Sequence, residues 1–277
     1  MAIYNPSYLS TLLRQHFGAV TLAALLVLLL LGSSIPFAQS TSAADKPPAP
    51  QPVYQDEHER LLHEDWAELG RFRRANHALP PPAPGEQRVV LMGDSITENW
   101  RGTIQPAGPE MGDFFSGKPY LNRGISGQTT PQLLIRFRQD VISLHPSAVV
   151  LLAGTNDIAD NTGETTLEAI EDNYASMCEL AQLHGIRVVI AALLPTLDYP
   201  WRPGLHPAPK IAAFNHWLRN YAAANHHIYV DFNTPMSTRK GALRPDLSLD
   251  GVHPNHAGYE LMAHLLQPAI EEALKQN

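Results

Sequence analysis

The sequence predicts an α/β fold in which helices cover both faces of a parallel β-sheet. Short apolar runs rich in Val, Ile, Leu and Tyr alternate with longer segments of helical periodicity. Uninterrupted apolar runs are typical of strands buried on both faces, and the helices between them supply right-handed crossovers. The 277 residues include a single cysteine, so the fold depends on a packed core rather than on disulfide bonds.

Residues 1–40 are predicted to be a secretory signal. Residues 17–39 carry no charged side chain, Arg14 precedes them, and Gly-Ser-Ser-Ile-Pro at 32–36 breaks a helix shortly before small residues suited to cleavage. An uncleaved anchor is the alternative, because the uncharged stretch approaches the roughly 20 residues of a membrane span. We therefore expect a secreted, periplasmic or envelope protein, or one held to the membrane by residues 17–38.

The segment after the signal divides into a tether and the start of a folded domain. Residues 41–55 are rich in proline, which predicts an extended tether. Residues 56–277 are predicted to form one domain, whose first element is a single amphipathic helix over residues 56–76 that ends before a run of prolines. The apolar positions that predict this helix are Leu61, Leu62, Trp66, Leu69 and Phe72.

The rest of the domain reads as strands and helices in alternation. The predicted strands are Arg88–Met92, Tyr120–Asn122, Ala148–Ala153, Arg187–Ala191 and Ile228–Asp231. The predicted helices are Pro131–Leu144, Thr166–His184, Pro209–Asn225 and Asn255–Gln276, the last with a kink at Pro268. Ligands of such sheets bind at the carboxyl ends of the strands, so those ends are where a site is expected.

Composition excludes several classes of partner. With 27 acidic against 20 basic side chains and no lysine-rich tract, the chain is not built to bind nucleic acid. One cysteine cannot form a Cys-based metal cluster, and the 13 histidines lack recognised ligand spacings. We therefore predict no metal and no cofactor.

Three polar motifs follow three successive predicted strands. Ser95, in Gly-Asp-Ser, is a candidate nucleophile on a tight turn. Gly127 lies in a glycine-containing loop that exposes backbone N–H groups, and Asn156, in Gly-Thr-Asn-Asp, offers a side-chain amide. Each motif alone also suits an ordinary turn. Together they could supply a nucleophile and an oxyanion hole formed by the Ser95 N–H, the Gly127 N–H and the Asn156 amide.

A fourth motif, Asp250-Gly-Val-His253, precedes the last predicted helix. An aspartate three residues before a histidine can hold imidazole Nδ1 and leave Nε2 free to accept a proton from serine. His256 lacks such an aspartate and is the weaker candidate for the base. Ser126 is a rival nucleophile, although its position suits shaping of the oxyanion loop better.

These four motifs resemble those of the SGNH hydrolases, also called GDSL-type esterases and lipases. The resemblance covers about Arg88 to the C-terminus and implies a flavodoxin-like three-layer α/β/α fold with a five-stranded sheet and metal-independent ester hydrolysis through an acyl-serine intermediate. Gly-Ile-Ser-Gly-Gln-Thr-Thr also looks like the bacterial branch similar to platelet-activating-factor acetylhydrolase, which favours short acyl groups. Gln128 departs from that branch, whose members often carry Asp there. The alternative α/β-hydrolase elbow, Gly-x-Ser-x-Gly, fails because Thr97 replaces its second glycine.

The predicted function is hydrolysis of short-chain acyl esters, with a small-molecule or glycan-linked ester as the substrate. Trp100, Tyr199 and Trp201 are candidate substrate contacts, although each could equally pack within the domain. Two other functions remain open. An acyltransferase would use the same serine with an alcohol acceptor, and a cell-surface glycan-binding module would keep the fold without turnover.

Overall fold

The structure, a computed structural model, describes residues 56–100 and 112–275. At its centre lies an all-parallel five-stranded sheet with the spatial order β2-β1-β3-β4-β5. The strands are β1 Val89–Gly93, β2 Tyr120–Gly124, β3 Ala148–Leu152, β4 Arg187–Ala191 and β5 Ile228–Val230. Every residue of β1, β2 and β3 is buried, which explains why β1 and β3 are nearly continuous apolar runs, whereas β2 also buries the polar residues Asn122 and Arg123. The predicted α/β fold with a five-stranded parallel sheet is confirmed.

Helices cover both faces of this sheet. The α-helices are α1 Glu57–Glu64, α2 Arg73–Ala78, α3 Ser95–Glu98, α4 Thr130–Asp140, α5 Thr155–Ile158, α6 Leu167–Leu183, α7 Ala208–Ala224, α8 Asn233–Met236 and α9 His256–Lys275. Helices α4, α6 and α7 pack side by side, and α9 packs against β3, β4 and β5. Right-handed crossovers in this strand order place α4, α6 and α7 on one face and the β1–β2 connection on the other. Helix α9 packs against the 3-10 turn Gly112–Phe115 of that connection.

The single amphipathic helix predicted over residues 56–76 is wrong. Helix α1 ends at Glu64, and the Asp65 carboxylate accepts hydrogen bonds from the N–H groups of Leu69 (2.8 Å) and Gly70 (2.7 Å). Aspartate that binds nearby backbone N–H groups offers the chain an alternative to continuing the helix. Glu68 has φ 51°, which no α-helix tolerates, so the chain turns before α2 begins.

One further helix boundary differs from the expectation, and the last helix agrees with it within one residue at each end. The helix predicted over residues 131–144 ends at Asp140 and is followed by a separate 3-10 turn, Ile142–Leu144. Helix α9 continues through Pro268 to Lys275. The predicted signal and tether, residues 1–55, lie outside the described residues. Within the described part of the chain, no helix combines the length and apolar character needed to cross a membrane.

Candidate active site

Ser95 is the first residue of α3, at the carboxyl end of β1, which lies between β2 and β3 in the sheet. The turn that carries it is tight: a Cβ at Gly93 would lie 2.2 Å from Thr97 Oγ1 and 2.4 Å from the Leu152 carbonyl oxygen. A Cβ at Gly124 would lie 2.2 Å from the Glu98 nitrogen, so α3 sits directly on the ends of β1 and β2. Only glycine allows so close an approach, and this packing fixes Ser95 at the edge of the sheet.

The turn before α9 holds a histidine and an aspartate in contact. His253 Nδ1 lies 2.7 Å from Asp250 Oδ2, while Asp250 Oδ1 accepts the N–H groups of His253 (2.7 Å) and Val252 (2.9 Å). The Ser248 hydroxyl donates to the His253 carbonyl oxygen at 2.7 Å. Partial burial raises the pKa of Asp250, but the His253 side chain and these N–H groups outweigh it and hold the pKa at about 2.

The structure brings Ser95 and this pair together across the fold. Ser95 Oγ lies 3.0 Å from His253 Nε2, although 158 residues separate them in sequence. An ionised Asp250 bound to Nδ1 favours the tautomer with the proton on Nδ1, which leaves Nε2 as the acceptor facing the serine hydroxyl. The order Ser95, His253, Asp250 is therefore arranged so that a proton can pass from serine to imidazole.

The other two predicted residues, Gly127 and Asn156, follow β2 and β3, the two strands that flank β1. Gly127 is exposed and has φ +79°, a backbone conformation that favours glycine. Asn156, in the short helix α5 after β3, is 3% exposed, and its Nδ2 donates to the Gln128 carbonyl oxygen at 3.0 Å. Since Nδ2 carries two hydrogens, one remains for another acceptor. The Ser95 N–H begins a helix and so has no partner within it.

A buried polar layer lies beneath these loops. Burial raises the pKa of Asp94 to about 7 and that of Asp157 to about 6, although each carboxylate accepts backbone hydrogen bonds that lower it. Arg136, fully buried on α4, donates to Gln128 Oε1 (2.6 Å), Asp140 Oδ2 (3.1 Å) and the Gly93 carbonyl oxygen (3.0 Å). Arg136 thus joins the turn that carries Ser95 to the loop that carries Gly127.

The rival residues occupy different surroundings. The Ser126 hydroxyl and N–H both donate to Glu98 Oε2, at 2.5 and 2.8 Å. His256 projects from the start of α9, where its Nδ1 lies 3.6 Å from Glu260 and three quarters of its side chain is exposed. It is His253, and not His256, that contacts Ser95.

Two of the three predicted substrate contacts, Trp100 and Tyr199, are buried in the domain. Trp100 is 1% exposed and packs among core aromatic rings, with ring centroids 5.6 Å from Phe115 and 5.7 Å from Tyr259. Tyr199 is fully buried beneath Trp201, and the centroids of the two rings are 5.1 Å apart. These two rings pack the domain, as aromatic side chains commonly do. Trp201 is 40% exposed, and its ring centroid lies 6.0 Å from that of His253, so it borders the site.

Sequence reasoning missed two polar residues of this region. The Ser248 hydroxyl contacts both Asp250 Oδ1 and the His253 carbonyl oxygen, and so stabilises the turn between these two residues. Asn161 donates from Nδ2 to Asn156 Oδ1 at 2.7 Å and accepts the Trp201 indole N–H at 2.9 Å. Both are isolated polar residues in loops, where a single sequence offers no periodicity or motif to distinguish them.

Comparisons with known proteins agree with the fold and the motifs. The model of the GDSL-like Lipase/Acylhydrolase family matches residues 91–261. A GDSL-like lipase structure from Bacteroides thetaiotaomicron is 44% identical, with a TM-score of 0.71, and covers 76% of this chain and 100% of its own. A structure from Streptococcus pneumoniae named for platelet activating factor is 22% identical, with a TM-score of 0.61 over 77% of this chain and 95% of its own, and shows the shared fold.

Two curated relatives are more distant in sequence. An acetylxylan esterase of Geobacillus stearothermophilus is 24% identical over 203 residues, which cover 64% of this chain and 90% of the relative. The uncharacterized lipoprotein YqeF of Bacillus subtilis is 26% identical over 165 residues, which cover 56% of this chain and 68% of the relative.

Proposed function

Since this chain belongs to the GDSL-like lipase/acylhydrolase family, we propose that it is a serine esterase that cleaves short, acetyl-type esters through an acyl-serine intermediate. The observation that carries the proposal is the unbroken contact from Ser95 Oγ to His253 Nε2 (3.0 Å) and from His253 Nδ1 to Asp250 Oδ2 (2.7 Å). A serine hydroxyl is a weak nucleophile without an adjacent base, and this arrangement supplies one.

In the first half of the reaction, His253 Nε2 takes the Ser95 proton as Oγ attacks the ester carbonyl carbon. The tetrahedral oxyanion is stabilised by the Ser95 and Gly127 N–H groups and the Asn156 amide. The imidazolium formed at His253 is held by the ionised Asp250, whose low pKa keeps it charged at neutral pH. The proton then passes to the alkoxide oxygen, the C–O bond breaks, and the alcohol leaves.

In the second half, His253 Nε2 takes a proton from water as the water oxygen attacks the acyl-serine carbonyl carbon. The same donors stabilise the second oxyanion, and collapse returns the proton to Ser95 Oγ and releases the carboxylic acid. No step of this mechanism calls for a metal or a cofactor. Full activity in the presence of EDTA is therefore expected.

Acetylated sugars are the substrate class we favour. The Geobacillus relative is named an acetylxylan esterase, and the exposed Trp201 ring lies beside His253, where it can contact a ligand at the rim of the candidate site. Aromatic rings with an apolar face and a polar edge suit such partly polar ligands. We also propose export to the cell envelope, because residues 1–40 read as a signal and the Bacillus relative is named a lipoprotein.

The proposal is tested with residues 41–277, purified as wild type, Ser95→Ala and Asn156→Ala, on p-nitrophenyl acetate, p-nitrophenyl octanoate and acetylated xylo-oligosaccharides. Ser95→Ala should lower acetate turnover by about 10⁴-fold or more, and Asn156→Ala should lower kcat by about 10²–10³-fold. Octanoate should be a poor substrate. Equal turnover by wild type and folded Ser95→Ala would refute the serine mechanism, and a preference for octanoate would refute the acyl length.

The same assay separates hydrolysis from acyl transfer. Water and an alcohol compete for one acyl-enzyme, so glycerol or xylose is added and the products are resolved by mass spectrometry. A hydrolase yields mainly acetate. Acetylated glycerol or sugar as the main product would make the enzyme an acyltransferase.

A further inference from the structure

Asn161 links the candidate oxyanion residue Asn156 to the rim residue Trp201. Its Nδ2 donates to Asn156 Oδ1 at 2.7 Å, and its Oδ1 accepts the Trp201 indole N–H at 2.9 Å. Asn156 Nδ2 in turn donates to the Gln128 carbonyl oxygen at 3.0 Å. Four residues, from the segments that follow β2, β3 and β4, thus form one continuous chain of hydrogen bonds.

The two ends of this chain decide the orientation of both amides inside it. An indole N–H can only donate, so Asn161 must present its oxygen to Trp201 and its nitrogen to Asn156. A backbone carbonyl can only accept, so Asn156 must present its nitrogen to Gln128. Both requirements agree at the central contact, where the Asn161 N–H meets the Asn156 carbonyl oxygen. Reversing either amide would place two donors or two acceptors face to face.

The backbone around this chain is also held in place. The Asn161 N–H donates to the Asn156 carbonyl oxygen at 3.0 Å, which closes the loop that follows α5. Arg202 donates to the Asp160 carbonyl oxygen at 3.0 Å and so binds the loop after β4 to the same segment. Trp201 rests on the buried Tyr199 ring. Asn161 is therefore fixed by main-chain and side-chain contacts on both sides.

We propose that Asn161 is a positioning residue that keeps the Asn156 amide turned so that its second Nδ2 hydrogen is available to the oxyanion. The proposal rests on the proposed function, because it gives Asn156 the role of an oxyanion donor. Its consequence is that the rim of the site and the oxyanion hole are parts of one hydrogen-bonded unit.

The decisive variant is Asn161→Asp, which has nearly the same shape and no donor. The carboxylate would face Asn156 Oδ1 as a second acceptor, so the Asn156 amide is driven to turn its nitrogen toward residue 161 and away from the oxyanion. We expect kcat for p-nitrophenyl acetate to fall by about 10–10²-fold with KM changed by less than about threefold, because a lost oxyanion donor acts on the transition state. Asn220→Asp, on the exposed face of α7, is the matched control for an added charge.

A double-mutant cycle with Asn156→Ala distinguishes positioning from other effects. If Asn161 acts through Asn156, adding Asn161→Asp to Asn156→Ala should change kcat by less than about threefold. A fall as large as in the wild-type background would overturn the proposal, since a general structural or charge effect does not need Asn156. Asn161→Ala, which removes the donor without adding an acceptor, should lose less activity than Asn161→Asp.

The outcomes also separate this proposal from the proposed function. If Asn156→Ala retains wild-type kcat while Ser95→Ala is inactive, the oxyanion role of Asn156 is wrong, and the role of Asn161 is wrong with it. If Asn156→Ala is impaired and Asn161→Asp is not, only the positioning role fails. Melting temperatures of all variants are measured in parallel. If Asn161→Asp does not fold, Asn161→Ala replaces it in the cycle, because it also removes the donor to Asn156 Oδ1.

Discussion

Replacing Asp94 with asparagine should stabilise the protein at alkaline pH and much less at acidic pH. Asp94 lies immediately before Ser95, is 1% exposed, and caps α3 by accepting the Ile96 N–H at 3.0 Å. Burial raises its pKa to about 7, and the nearby Asp157 adds to this effect, while the Ile96 N–H and His253 oppose it. Asparagine keeps an oxygen for the Ile96 N–H and cannot ionise.

The size and sign of the effect follow from the two pKa values. The ordinary value of 3.8 applies in the unfolded chain and the value of about 7 in the folded one, so the folded state binds more protons between them. Stability therefore falls as pH rises through that window, by about 1.4 kcal/mol for each unit of difference, or about 4 kcal/mol in all. The loss is below about 1 kcal/mol at pH 4 and complete above about pH 8.

Melting temperatures of wild type and Asp94→Asn are compared from pH 4 to pH 8.5 at constant ionic strength. The variant's advantage should grow with pH, by roughly 10 °C across the range for a domain of this size. Asp172→Asn, at an exposed position on α6, controls for the loss of one carboxyl group. If the melting temperatures of wild type and Asp94→Asn change in parallel with pH, Asp94 does not ionise in this window and the argument from burial is refuted.

Two further predictions concern packing beneath the site. Gly93→Ala should lower the free energy of unfolding by about 3 kcal/mol, because the new Cβ would lie 2.2 Å from Thr97 Oγ1. Gly185→Ala is the control: Gly185 has φ +69° but open space around it, so the substitution should lower the free energy of unfolding by only about 1 kcal/mol. Arg136→Met should lower the free energy of unfolding by about 3–5 kcal/mol, because it leaves the buried Asp140 carboxylate without its cation. Urea unfolding measures this change, and a decrease of less than about 1 kcal/mol would contradict the importance of that pairing.

Much of the candidate site could be predicted from sequence because its parts are local motifs. Asp250 and His253 are three residues apart, so a single turn of chain brings their side chains together whatever the rest of the fold does. The contact between Ser95 and His253 is not local. It follows from the alternation of strands and helices, because parallel strands end at one edge of the sheet and that edge carries the polar residues.

The aromatic residues show where this reasoning stops. Trp100, Tyr199 and Trp201 are all large aromatic residues in loops near the predicted site, yet of the three only Trp201 is exposed. Trp100 is enclosed by rings from three distant segments, among them Phe232 and Tyr259. A single sequence does not specify which distant side chains will cover a loop tryptophan, so burial and substrate contact cannot be distinguished before the fold is known.

The prediction of one helix over residues 56–76 was wrong for a related reason, since distant contacts decide the conformation of this segment. Gln128 Nε2 donates to the Ala67 carbonyl oxygen at 2.9 Å, while Arg71 contacts Glu98, the acceptor for both Ser126 donors. The turn between α1 and α2 thus binds the loop that carries Gly127, directly through Gln128 and indirectly through Glu98. A continuous helix over the same residues would satisfy its own carbonyl groups and leave none for Gln128. The break in the helix therefore leaves the Ala67 carbonyl oxygen free to bind Gln128, in the loop that carries Gly127.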